Sequence, residues 1–139
     1  MNFNQALKQY NHVNVQTSIT DADPHKLIDL LFSGFIERVA QARVAMLNDK
    51  TELKGQKISK AIDILSGLRS ALDFEQGEDI AQKLDSLYEY MIHQLVEANA
   101  KNNVEICDEV TGLMKTIKEA WVAIKSENLN DQESQPSKP

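Results

Sequence analysis

The sequence predicts an all-α protein, an antiparallel up-down four-helix bundle. Three observations carry that expectation. Four stretches repeat apolar residues at helical spacing, each long enough to span about 30 Å at about 1.5 Å per residue. The breaks between them are short, which makes successive helices antiparallel neighbours. No internal repeat at about 20 to 50 residues points to a solenoid instead.

The N-terminal residues 1–22 read as an arm. Phe3, Ala6, Leu7 and Tyr10 stand at helical spacing, enough for a short helix. Val13, Val15, Thr17, Ile19 and Thr20 are β-branched and favour extended chain after it. So short a helix is marginal alone, and the arm must dock or fray.

The first long helix is expected over 24–48. Asp23 is a good N-cap and Pro24 suits the first helical position, where a missing N–H costs nothing. Its stripe runs Leu27, Ile28, Leu31, Phe32, Phe35, Val39, Ala42 and Met46, widened by Ile36 and Leu47. The second helix is expected over about 54–73 and the third over 78–101, after a break at Gly77. Glu78 and Asp79 would then sit favourably at the positive end of the dipole. The fourth is expected over 103–126, with Ile106, Val110, Leu113, Met114, Ile117, Trp121 and Ile124 on its stripe. Residues 1–127 make one domain. From residue 128 the composition turns to Asn, Asp, Gln, Glu, Ser, Pro and Lys, and 128–139 reads as a disordered tail.

Helices two and three have apolar arcs wider than one neighbour requires. In helix two, Ile58, Ile62, Leu65 and Leu72 form the axis, and Ile64, Leu68, Ala61 and Ala71 extend it to one side. In helix three the axis is Ile80, Leu84, Leu87, Met91 and Leu95, extended by Ala81, Tyr88, Ile92 and Val96. Each helix is either wedged between two neighbours or shows apolar surface to a partner.

Composition narrows the function. The 139 residues are 42% hydrophobic and 26% charged, with a net charge of −6. An acidic chain with no basic block fits neither nucleic acid nor an anionic membrane. Nothing approaches an 18-residue apolar run or a signal peptide, and the single cysteine, Cys107, forbids an internal disulfide. A cytoplasmic location is the natural expectation.

The residues that could carry chemistry do not assemble into a motif. Glu89 and His93 are spaced like two ligands on one helix, but a ferritin-like site needs paired Glu-x-x-His segments, and the chain has none. They read as a solvated face. His12 and His25 lack a carboxylate or nucleophile partner in the sequence, and Cys107 reads as a small buried filler. Gly67 and Gly112 lie inside helices, as tolerated residues or as places of close backbone approach. No cofactor, no metal and no enzymatic activity is expected.

Several segments in order resemble the flagellar secretion chaperones of the FliS type. They are Tyr10 with the Val13/Val15 arm, Asp23-Pro24-His25-Lys26-Leu27-Ile28, and Ile58-Ser59-Lys60-Ala61-Ile62 with Leu72-Asp73. Gly77-Glu78-Asp79-Ile80-Ala81, Leu87-Tyr88-Glu89-Tyr90-Met91 and Glu119-Ala120-Trp121 complete the set. The resemblance reaches from the arm to Trp121. One departure is Ser33-Gly34-Phe35, where the family usually carries an acidic and then a small residue around the glycine.

The resemblance implies a non-enzymatic bundle that binds the C-terminal segment of flagellin, disordered when free, and keeps it from polymerising. Delivery to flagellar export gate components, and binding of other flagellar regulatory proteins, are further implied partners. The wide arcs nominate Ile64, Leu68 and Ala71 on helix two, and Tyr88, Ile92 and Val96 on helix three, as client contacts, since an amphipathic helix in an apolar groove is a common recognition mode. Leu7, Tyr10, Val13 and Val15 of the arm would cover that surface when no client is bound. The competing reading is a structural or regulatory bundle that homodimerises through the same faces.

Overall fold

The computed structural model describes the backbone of residues 23–134 and the side chains of residues 23–124. The arm, with Leu7, Tyr10, His12, Val13 and Val15, lies outside the described residues, as do residues 135–139. Four helices follow one another: α1 (Pro24–Leu47), α2 (Thr51–Ser70), α3 (Phe74–Lys101) and α4 (Val104–Ser134). α1 packs on α2 and α4, and α3 packs on the same two, so the helices form a ring whose opposite members do not meet. This is the expected up-down bundle.

Local chemistry explains most of the boundaries. The Lys26 backbone N–H donates to Asp23 Oδ1 at 2.7 Å, the expected N-cap of α1. At its other end Asp49 takes φ 56°, and the Lys50 N–H returns to the Ala45 carbonyl at 2.9 Å. That closing turn lets α2 begin at Thr51, earlier than expected. Asn102 ends α3 in the left-handed region, at φ 53°, and the Asn103 N–H reaches the Ala98 carbonyl at 3.0 Å. The Asn103 side chain then accepts from the N–H groups of Glu105 and Ile106, capping α4.

Two boundaries differ more from expectation. α3 starts at Phe74, because Asp73 caps it by accepting from the N–H groups of Glu75 and Gln76. The break falls inside the helix, at Glu78, with φ 47° and ψ −121°. Gly77, expected to supply the break, keeps a negative φ. α4 continues as helical backbone through Ser134, past the expected end near 126, since no proline interrupts it before Pro136. The segment from 128 to 134 thus falls on helical backbone.

The core is one cluster from all four helices: Leu31, Phe35 and Val39 of α1, Ile58 and Leu65 of α2, Met91 and Leu95 of α3, and Val110 and Met114 of α4, with their neighbours. On α3 the inward seam is Ala81, Leu84, Tyr88, Met91, Leu95 and Ala98, a spacing of alternating threes and fours suited to side-by-side helices. Ile80, expected on this seam, is 69% exposed, because Ala81 takes the inward place next to it. Leu47 and Ile124 are likewise exposed, lying past the ends of their packed stripes.

One charge is built into the frame. Lys54, in the first turn of α2, is buried, and its ammonium donates to the Asn99 carbonyl at 2.9 Å and to Asn102 Oδ1 at 3.3 Å. It thereby pairs with carbonyl groups at the C-terminal end of α3, where positive charge is favoured. Lys54→Ala is expected to cost about 1.5–3 kcal/mol, the range for hydrogen bonds involving a charged group. Urea unfolding of the variant checks this; an unchanged midpoint would mean that water replaces the ammonium without loss.

Candidate functional site: the α2–α3 flank

α2 is a corner of the ring, and that explains its wide arc. Ile64 is 0% exposed, and its Cδ1 lies 3.4 Å from where a Cβ would stand on Gly34 of α1. On the other side, Arg69 donates to both carboxylate oxygens of Asp85 on α3, at 2.7 and 3.2 Å. The arc is wide because α2 faces two neighbours. Of the client contacts nominated from the sequence, Ile64, Leu68 and Tyr88 are core residues here, each at most 2% exposed. Gly34, which stands between the departures at Ser33 and Phe35, turns its bare backbone to Ile64.

The other three candidates from the long helices are less deeply placed. Ala71 caps the end of α2 and is half-buried. Ile92 is half-buried against the core, and Val96 is 55% exposed. Asp85, bonded to Arg69, and Asn99, bonded to Lys54, mark the side of α3 that faces α2. At about 100° per residue, Ile92 and Val96 fall on that same side. The structure therefore brings Ile92 and Val96 together on the rim of the α2–α3 flank and sets Ala71 at its far end. An open groove of about 640 Å³ runs along the first half of α2, lined by Gly55, Ser59, Lys60 and Asp63 and reached from α3 by Asn99, on the same face as Val96. A Cβ added at Gly55 would meet nothing within 4 Å.

The remaining polar groups act as ties between helices. Arg43 reaches Asp108 at 2.7 Å, linking α1 to α4, and Lys118 reaches Asp29 at 3.1 Å. Tyr90 donates to Glu109 Oε2 at 2.6 Å, and the Gln94 amide donates to Glu109 Oε1 at 2.9 Å, joining α3 to α4. Glu89 and His93 are exposed and 4.0 Å apart, a loose surface pair. Cys107 is fully buried with its Sγ 3.7 Å from Met46 Sδ, and burial raises its pKa, which keeps it a poor nucleophile. Among the described residues, no group of three or more His, Cys, Asp or Glu gathers as metal ligands, and no helix is long and apolar enough to cross a membrane.

His25 has a partner that sequence reasoning missed. Its Nε2–H donates to the Trp121 carbonyl at 2.8 Å, while the Trp121 Nε1–H donates to the His25 carbonyl at 2.9 Å. The two rings stack at 4.4 Å, and Phe32 meets the indole edge-on at 6.2 Å. Both residues stood in the segments that carried the resemblance, but nothing in a linear sequence pairs positions so far apart.

A family model described as "Flagellar protein FliS" matches residues 6–128, nearly the whole chain. The chain belongs to the FliS family. It is 49% identical over 120 residues to the "Flagellar secretion chaperone FliSB" of Pseudomonas aeruginosa, covering 86% of this chain and 95% of that one. It is 40% identical over 125 residues to the "Flagellar secretion chaperone FliS" of Vibrio cholerae, covering 90% and 92%. The Salmonella typhimurium protein of the same name is 40% identical over 119 residues, 85% of this chain and 88% of that one. These relatives are named as chaperones, and none of the names denotes catalysis.

Two predictions follow from this geometry. Ile64→Ala should cost about 2–5 kcal/mol, as for other large-to-small core changes, whereas Val96→Ala should stay within about 0.5 kcal/mol. Thermal melts of both would expose an error if the two costs were similar. The second concerns alkali. Burial pushes the Tyr88 phenol well above the usual tyrosine range, and the bond to Glu109 raises Tyr90. A phenol whose folded pKa is raised keeps its proton better folded than unfolded. Its contribution is therefore whole below the ordinary value of about 10 and is lost progressively as pH rises above that value toward the raised folded one. Denaturant unfolding across that window should show falling stability, and Tyr88→Phe should flatten the fall. An equally steep fall in Tyr88→Phe would assign it to other groups.

Proposed function

We propose that this protein is a flagellar export chaperone that binds the disordered C-terminal segment of flagellin, prevents its premature polymerisation in the cytoplasm and assists its delivery to export gate components. The observation that carries the reading is the α2–α3 flank. Exposed Val96 and half-buried Ile92 lie on the face of α3 that turns to α2, the face from which Asn99 reaches an open groove with free space over Gly55. An amphipathic client segment needs apolar anchors next to room for its backbone, and this flank offers both. The names of the relatives supply the flagellar context.

Ala71, Ile92 and Val96 are the contacts proposed on the described helices. In the same reading, Leu7, Tyr10, Val13 and Val15 of the arm cover this surface in the absence of client, so client and arm exclude one another. Covering the exposed valine in that way limits self-association of the free chain.

Calorimetric titration with a synthetic peptide of the flagellin C-terminal segment tests the proposal. Val96→Asp should fold normally, because its side chain is solvated in the free protein. In a complex the carboxylate would face an apolar helix, and unpaired polar burial costs at least about 2 kcal/mol, which is more than tenfold in affinity. Equal binding by wild type and Val96→Asp would remove this flank as the client site. Absence of any binding heat, with light scattering unchanged by the peptide, would favour a bundle that only self-associates.

A further inference from the structure

The His25–Trp121 pair ties the first turn of α1 to the end of the packed seam of α4. His25 lies in the first turn of α1, directly after residues 1–22. Trp121 ends the inward seam of α4, which runs Cys107, Val110, Met114, Ile117 and Trp121. Beyond it Val122 and Ile124 are exposed, while the helical backbone continues to Ser134. The pair is therefore the last anchor of α4 on α1 among the described side chains.

Its bonds are of a kind that open without penalty elsewhere. The carbonyls of His25 and Trp121 both lie inside helices, where each accepts an N–H from four residues on. The pair uses their second lone pairs. On release each carbonyl keeps its helical partner. The two side chains are only half-buried, so the imidazole and indole N–H groups pass to water. Lys54 is the opposite case, since its buried ammonium would be stranded if its acceptors moved away. What opening forfeits at His25 is one ring stack and, at Trp121, the edge contact with Phe32 and its packing on the end of the core.

We infer that His25 and Trp121 form a releasable clasp that couples the root of the N-terminal arm to the distal part of α4. Closed, it holds the first turn of α1 and the turn around Trp121 as one unit. When the arm is displaced, the clasp opens and the helix beyond Trp121 is freed, while the core stays folded. The link to displacement by a client rests on the function proposed above; the clasp itself rests on the geometry of the pair.

Trp121 is the single tryptophan of the chain, so emission reports the surroundings of the clasp and of no other site. The test compares the full chain with His25→Ala, by amide hydrogen exchange and by fluorescence. In His25→Ala, exchange should accelerate about tenfold or more over residues 122–134 and over the first turn of α1, with the centres of all four helices protected as before. Even acceleration throughout the bundle would make the pair a plain stability element and overturn the inference. No acceleration beyond Trp121 would overturn it as well. His25→Phe, which keeps a stacked ring and loses the Nε2–H bond, should fall between the two.

The flagellin C-terminal peptide is then titrated into the wild type, with heat and emission read in parallel. Emission should shift to the red in proportion to the heat of binding. Heat without any shift would show that the clasp stays shut on loading, sinking the coupling while leaving the proposed function intact. If no heat appears, the functional reading fails, and the exchange pattern of His25→Ala decides the clasp by itself.

Discussion

α2 rests on α1 through a shared core, and at its centre Ile64 packs against the bare backbone of Gly34. A Cβ there would meet Ile64 at about ordinary contact distance, while a larger side chain would press on it. The position of α2 matters because this helix is a corner. The same helix carries Lys54 toward the end of α3 and Arg69 toward Asp85, so both polar ties of the α2–α3 flank depend on where α2 stands. The flank that bears Ile92 and Val96 thus depends on how α2 packs against α1.

This also explains what the sequence made legible. The fold class, the order of the helices and most of the core were readable because a helical stripe is a local signal, written at about every third or fourth residue. Asp23-Pro24 announced the start of α1 through chemistry confined to one turn. The candidate site was less legible. An arc of given width looks the same whether its outer part meets a second helix or a partner, and Ile64, Leu68 and Tyr88 went to the second helix. Val96 stayed exposed although it shares their arc pattern, because it falls beyond the side chains that interlock. The clasp and the burial of Lys54 were invisible for a simpler reason, since both are encounters between distant positions.

The two classes of polar contact in the bundle have different work. Arg43–Asp108 and Lys101–Glu97 are solvated and add little. Lys54 and the Tyr90–Gln94–Glu109 group join helix to helix with several bonds converging on one acceptor or one donor. Such convergence fixes the register of one helix along another, which an apolar seam alone defines only loosely.

The break at Glu78 separates two stretches of one helix that would otherwise share a phase. The turn from Phe74 to Gly77 is capped by Asp73, while the seam that begins at Ala81 is set by the bundle. Because the backbone leaves helical geometry between them, the orientation of the first turn is not imposed on the second. A residue gained or lost between Leu72 and Gly77 would rotate Phe74, which is exposed, and leave Tyr88, Met91 and Leu95 facing inward. The Asn102–Asn103 turn has no such slack, since its side chains bond to groups on α1, α2 and α4 at once. Variation in chain length among proteins built on this plan has one natural place to accumulate, and it is the α2–α3 connection.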